Sequence, residues 1–412
     1  MAVLKAFLFF LFSCAGFAQI PPYTVPDPLT LENGERVTDS RTWVERRRPE
    51  LLALFEDQVY GKTPSGSPPV HTDQVAVDTK ALSGKAIRKQ VTIYFSPRLD
   101  GPQIHLLLYL PSNAKTRVGV FLGLNFGGNQ TIDKDPGILP HDVWIKNPAD
   151  GKMIRLPPDD RTRGADAARW QVEKILAAGY GLATASYYDI EPDFVGGMPY
   201  GVRSVLPDLD NWSALGAWAW GLSRMVDYLL TESAIDPKRI ALIGHSRLGK
   251  AALWAAAQDR RVAMVISNES GKGGASLLKR GYGESIDHLN TAFPHWFCAN
   301  FKQYTGHPDR LPVDGNELLA LIAPRLLYVA SAEEDRGSDP KGEFLSAANV
   351  GRVYALFGRK GLGTDRMPPV NTPLMHDVGY HVRAGTHDVT EFDWEQYLAF
   401  ADMHWGRQNQ PQ

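Results

Sequence analysis

Residues 239–254, RIALIGHSRLGKAALW, constrain the chain more tightly than any other stretch. Ile240 to Ile243 form the short apolar run of a buried strand. Gly244, His245 and Ser246 follow with no spacer, and Leu248 to Ala257 are rich in Ala and Leu, which favour a helix. A Ser held on a tight turn between strand and helix is lifted clear of the sheet. The unpaired N–H groups of the new helix then point at any oxygen reacting with it. Such a turn is an elbow that presents a nucleophile.

The pattern departs from the common G-x-S-x-G. Ser246 is followed by Arg247, Leu248 and only then Gly249, so Arg247 and Lys250 fall in the first helical turn. Cations there oppose the helix dipole at a cost of about 0.3–1 kcal/mol each. An oxyanion or a polyhydroxylated ligand bound above the turn is the expected compensation.

The remaining pattern places the elbow in a sheet. Apolar runs predict strands over 75–77, 87–95, 104–110 and 118–125, with Asp100-Gly101 turning between the second and third. No helix separates these strands, so all four are expected to be antiparallel. Alternation follows, with helices over 165–178, 211–232, 341–357 and 391–405 and strands over 182–187, 262–267, 325–331 and 379–384. An antiparallel lead followed by βα units is the α/β-hydrolase layout, a three-layer αβα sandwich around a mixed sheet. A first helix over 40–60 carries Arg46-Arg47-Arg48, read as a solvated face. Two irregular stretches, 126–166 and 270–321, are long for plain connections. They follow strand ends on the elbow side and are expected to wall the site.

A nucleophilic Ser needs a base, and the base an orienting acid. In this fold they follow in the order Ser, acid, His. His387, between the last strand and the last helix, is the base preferred over His376 and His381. Two acids compete: Glu269, past the strand that follows the elbow helix, and Asp335, past the next one. The stretch Asn125-Phe126-Gly127-Gly128-Asn129 suits half of an oxyanion hole. The histidine spacings match no zinc signature, so neither metal nor cofactor is expected.

Composition narrows the class. The 412 residues are 43% apolar and 22% charged, as in ordinary soluble proteins. A formal net charge of −2 argues against a nucleic-acid binder, and nothing suggests a membrane-surface protein. Residues 1–18 have one cation, Lys5, then an apolar run and Gly16-Phe17-Ala18, the layout of a signal peptide cleaved after Ala18. The run is short for a membrane span. Leu11-Phe12-Ser13-Cys14 is a poor lipoprotein box because Phe12 is bulky, so plain export to a secreted or periplasmic location is favoured. Residues 19–412 are then one catalytic domain. Cleavage leaves Cys298 as the sole thiol, expected to be buried and inert.

Together these residues resemble the glucuronoyl esterases, carbohydrate esterase family 15, and its bacterial members in particular. The resemblance lies in Gly244 to Lys250, in Glu269-Ser270-Gly271, in His387 to Trp394 and in Gly123 to Asn129, and it runs from about Thr42 to Trp405. It implies an enzyme that cleaves the ester between a 4-O-methyl-glucuronic acid branch of xylan and an alcohol on lignin; a monomer is expected. It implies Ser246 as nucleophile and His387 as base. Glu269 is implied as the acid seen throughout the family and the larger contributor, with Asp335 as the second acid of bacterial members. Arg247 is implied at the oxyanion, and Lys250 and Glu284 at the sugar hydroxyls. Bacterial members often carry a Trp where this chain has Gly337, which leaves the packing on the uronate to Arg336 or Trp296. An acetyl xylan or general carboxylesterase of the same fold, or a non-catalytic hydrolase-fold binding protein, are the competing readings.

Overall fold

The computed structural model describes residues 23–406 other than 65–70, 97, 98, 100, 148 and 207–210. The expected signal peptide with Cys14, and Asp100 of the expected turn, lie outside the described residues. Ten strands form one sheet: β1 (His71–Lys80), β2 (Ala86–Tyr94), β3 (Gln103–Pro111), β4 (Val118–Asn125), β7 (Gly181–Ser186), β8 (Ile235–His245), β9 (Met264–Asn268), β10 (Leu326–Ala332), β11 (Leu374–Met375) and β12 (Val378–Arg383). A separate hairpin pairs β5 (Val143–Lys146) with β6 (Met153–Leu156) inside the first irregular stretch.

The sheet order is β1-β2-β3-β7-β4-β8-β9-β10-β12-β11. The first three strands are antiparallel, as expected. The fourth is not: β7 inserts between β3 and β4, and β4 runs parallel to both β7 and β8. The reason is legible in hindsight. Every residue of Val118–Asn125 is buried, so the strand is covered on both faces, the condition of a central parallel strand.

Alternation along the central strands splits the core in two. Val120, Leu122, Ile240 and Leu242 face one cluster, where the helices Ala214–Leu229 and Arg247–Gln258 pack. Phe121, Ala241 and Ile243 face the other, where Val172–Ala177 and Glu391–Trp405 pack. Each fully buried Leu or Ile contributes about 1.5–3 kcal/mol. The result is a mixed sheet between two helical layers.

Three local readings change. The helix expected over 165–178 is two short ones, broken at Gln171 with φ 44°. Pro340–Asn349 and Gly351–Ala355 likewise replace a single helix. The basic patch is a solvated face at Arg46 but not at Arg47. Arg47 is buried and paired with Glu50 and, at 2.7 Å, with Glu317. Cys298 is buried, and burial raises its thiol pKa. Among the described residues, no helix is long and apolar enough to cross a membrane.

Candidate active site

The six parallel strands β4, β7, β8, β9, β10 and β12 end on one side of the sheet, and the sequence places its chemistry just past those ends. Ser246 follows β8 directly. Its φ of 56° and ψ of −130° are a strained conformation for a residue with a side chain. Two glycines hold it there. A Cβ on Gly244 would lie 2.1 Å from the Leu248 carbonyl oxygen, and one on Gly249 would lie 2.9 Å from the Gly244 carbonyl oxygen. The displaced Gly249 therefore supplies the close packing that a turn this tight requires. The Ser246 N–H donates to the Asn268 carbonyl at 2.9 Å.

The acids stand on the next two strand ends. Register pairs His245 with Asn268, Asn268 with Ala330, and Ala332 with Arg383, so Glu269, Asp335 and the loop carrying His387 converge. His387 Nδ1 lies 2.6 Å from Asp335 Oδ2 and 3.1 Å from Glu269 Oε2. The two carboxylates are not equivalent. Glu269, at φ 48°, also accepts from Arg383 Nη2 at 2.6 Å and from the Asp388 N–H at 3.1 Å. Burial raises Glu269 to about 7, against the pull of His387 and Arg383. Burial would also raise Asp335, but hydrogen bonds from His387 and Ser338 outweigh it and hold it at about 2. Burial opposes charge on His387, yet its bonds to Asp335 and Glu269 raise it to about 9. Asp335 is thus the shorter and more anionic partner, where the family pattern had favoured Glu269.

Two cations follow Ser246 in the first turn of its helix. Arg247 pairs with Asp193, and its guanidinium lies 4.5 Å from the Trp296 ring centre and 5.5 Å from that of Phe293. Lys250, buried, donates to the Ser270 carbonyl at 2.6 Å and lies 3.6 Å from Glu284 Oε2. Carboxylates of the chain itself therefore offset the charges that oppose the helix dipole. Asp193 organises this cluster. It also accepts from Trp296 Nε1 at 2.7 Å, His295 Nε2 at 2.8 Å and the Tyr187 hydroxyl at 3.0 Å. Burial would raise Asp193, but these donors and Arg247 hold it at about 2.

Residues 205–358 match the family model for fungal glucuronyl esterase. The chain is 46% identical to carbohydrate esterase MZ0003 from an unknown prokaryotic organism, over 94% of this chain and 91% of that protein. The chain belongs to carbohydrate esterase family 15, the glucuronoyl esterases. Among solved structures, the glucuronoyl esterase from Solibacter usitatus is 52% identical with a TM-score of 0.90, over 94% of this chain and 100% of that one. A promiscuous CE15 esterase from the marine bacterial metagenome is 45% identical with a TM-score of 0.87, over 94% of this chain and 98% of that one. The protein is a carboxylic ester hydrolase.

Within this esterase, the remaining sequence candidates fall into place unevenly. Glu284 is half-buried beside Lys250, and its N–H donates to the Gly337 carbonyl at 2.9 Å. Trp296 is only 3% exposed and stacks on Phe293 at 3.8 Å, so it braces Arg247 and offers a ligand little surface. A Cβ at Gly337 would touch only Asp335 Oδ1, at 3.5 Å, so the position has room for a side chain. The glycine-rich stretch turns inward. The Gly128 N–H donates to Asn125 Oδ1 at 2.8 Å, and the residue of this stretch that reaches the site is Phe126, near Arg247 and His245.

His381 is wholly buried, with both ring nitrogens taken by the Tyr328 hydroxyl and Asp393. Among the described residues, His245, Glu269 and His387 each bring a potential ligand atom within 4.8 Å of the others. His245 Nδ1 faces Asn268 Oδ1 at 2.6 Å and His387 Nδ1 faces Asp335, contacts that call for N–H donors and not for a cation. Sequence reasoning missed Asp193, Arg383 and His245. Asp193 lies in an irregular stretch after β7 that carried no motif. Arg383 was read as a strand residue, and His245 only as the turn residue before Ser246.

Proposed function

We propose that the chain is an exported serine esterase of the α/β-hydrolase fold, with residues 19–412 as one catalytic domain. It acts as a monomer on esters of glucuronic or 4-O-methyl-glucuronic acid, as in lignin–xylan cross-links. One observation carries the reading: His387 Nδ1 faces two carboxylates from adjacent strand ends, and its ring lies 4.4 Å from that of His245, the residue before a Ser held in a strained elbow. Export rests on the leader pattern alone, and the polymer on the family resemblance.

Ser246 Oγ attacks the ester carbonyl and passes its proton to His387. The proton arrives at Nε2, because Nδ1 is committed to the acids. Asp335 and Glu269 stabilise the imidazolium. The guanidinium of Arg247, whose Nε has no acceptor, lies close enough to Ser246 in sequence to meet the oxyanion with the first helical N–H groups. His387 then protonates the departing alcohol. Water, deprotonated by the same ring, releases the uronic acid. Lys250 and Glu284 hold sugar hydroxyls.

The test compares hydrolysis of methyl glucuronate with that of an aryl acetate, in the wild type and in Ser246→Ala. The reading expects a higher kcat/KM on the glucuronate ester and loss of at least about a thousandfold in the variant. Equal or better turnover of the acetate would make this a general carboxylesterase. Undiminished activity in Ser246→Ala would remove the elbow from the chemistry.

A further inference from the structure

Behind the two acids lies a residue that the mechanism above leaves unused. Arg383, the last residue of β12, has a side chain only 3% exposed. A guanidinium carries five N–H donors in a rigid fork and cannot lose its charge. Here Nε donates to Asp393 Oδ2 at 2.9 Å and Nη1 to the Ala384 carbonyl at 3.0 Å. Nη2 meets Glu269 Oε1 at 2.6 Å and the carbonyls of Thr386 and Asp388, at 2.9 Å and 2.6 Å. Those two carbonyls flank His387 on either side. One cation therefore touches an acid of the site and both neighbours of its base, without touching the base.

We propose that Arg383 is a positioning residue with an electrostatic role. It fixes the His387 loop and neutralises Glu269, leaving Asp335 as the anion that sets the basicity of His387. The proposal rests on the esterase reading for its kinetic arm only. Without such a counter-charge, Glu269 and His387 would hold the cluster's proton more tightly, and the base would be freed only at a higher pH.

Other charged groups surround this cluster. His387 is faced by Asp335, Glu269 and His245, whose ring centre is 4.4 Å away; burial, then the charge on His387, lower His245 to about 3. Asp388, next in sequence, pairs with Arg169 at 2.5 Å. Glu269 is faced by His387, Arg383 and Asp335, and more remotely by Glu343, which burial raises to about 8, and by Tyr397. Asp393 shares its charge between Arg383 and His381. Among the described residues, Arg383 is therefore the permanently charged cation bonded directly to Glu269. The two acids and His387 titrate as a group, so the acid limb of the rate profile belongs to the cluster and not to one residue.

The experiment is a charge cycle on the full chain. Arg383→Gln should move the acid limb of kcat/KM on methyl glucuronate up by about one pH unit or more. Glu269→Gln should move it down, and the double variant should return it close to the wild-type position. Arg383→Lys keeps the charge but cannot reach every carbonyl, so its limb should stay in place while kcat falls about tenfold. Following the His387 ring by NMR titration gives the same four shifts without catalysis, and serves if the ester proves a poor substrate. An unmoved limb in Arg383→Gln, or a limb in Arg383→Lys that moves as far as in Arg383→Gln, would overturn the proposal. So would a double variant that stays at the Arg383→Gln position, because a purely structural role gives no charge rescue.

Discussion

The two charged clusters near Ser246 are built on opposite electrostatic plans. In one, two carboxylates share a single histidine, and Arg383 balances the deeper of the two. In the other, two cations each meet a carboxylate of their own, Arg247 with Asp193 and Lys250 with Glu284. The acid cluster keeps an excess of negative charge, so it draws a proton toward His387. The cation cluster is neutral as a unit and yields positive charge only when a substrate oxygen competes for it. Base strength comes from imbalance, and tight positioning from balance.

The largest effects should come from the acid cluster. Asp335→Asn should lower kcat about 100-fold and Glu269→Gln about tenfold, spanning the worth of one charge-assisted hydrogen bond. The double variant should approach His387→Ala, because residues that act as a unit are not additive. A reversed order of the single variants, read from a four-corner kinetic cycle, would return the leading role to Glu269. The same pair sets a stability window. The raised pKa of His387 stabilises the fold fully below 6.5, and this is lost as pH rises through about 9. The lowered pKa of Asp335 stabilises above 3.8, and this is lost as pH falls through about 2. The Tm difference between wild type and Asp335→Asn should therefore be widest between about pH 4 and 6.5.

In the cation cluster, Asp193→Ala should act first on the fold. It strands Arg247 and His295 in a buried setting, at a cost of about 3 kcal/mol. Thermal unfolding would show it, and an unchanged Tm would mean that the cluster is dispensable. Lys250→Ala should be milder, raising KM for a glucuronate ester about tenfold while leaving an aryl acetate alone. Equal effects on both esters would deny Lys250 a sugar-binding role. Dialysis against a chelator should change nothing. A rate lost and then restored by one divalent ion would reassign His245, Glu269 and His387 to a metal.

The same contrast governs what could be read in advance. The elbow, Glu269, Asp335 and His387 each follow a strand that announces itself by apolar residues, so the pattern located them and the sheet register joined them. The shifted Gly249 was visible, but its packing against Gly244 was not. Asp193 was illegible because its loop has no periodicity and its partners, Arg247, His295 and Trp296, are distant in sequence. Arg383 looked like the polar end of a strand, since nothing local shows which carboxylate a guanidinium meets. The parallel setting of β4 was missed because its order in the chain suggested pairing with β3, whereas burial on both faces decided its neighbours.

Ser246 and Glu269 share one further property. Both hold positive φ, 56° and 48°, where a side chain is unwelcome and glycine is at ease. A glycine at 246 would relax the backbone by about 1 kcal/mol or more, whereas one at 269 would strand the buried Arg383 at a greater cost. At the nucleophile, therefore, backbone stability and catalysis pull in opposite directions. Random mutation has a downhill path from the enzyme to an inert scaffold with the same sheet and the same surface. Only selection for turnover keeps a serine at 246, and an inactive descendant with glycine there should melt at a higher temperature than its parent.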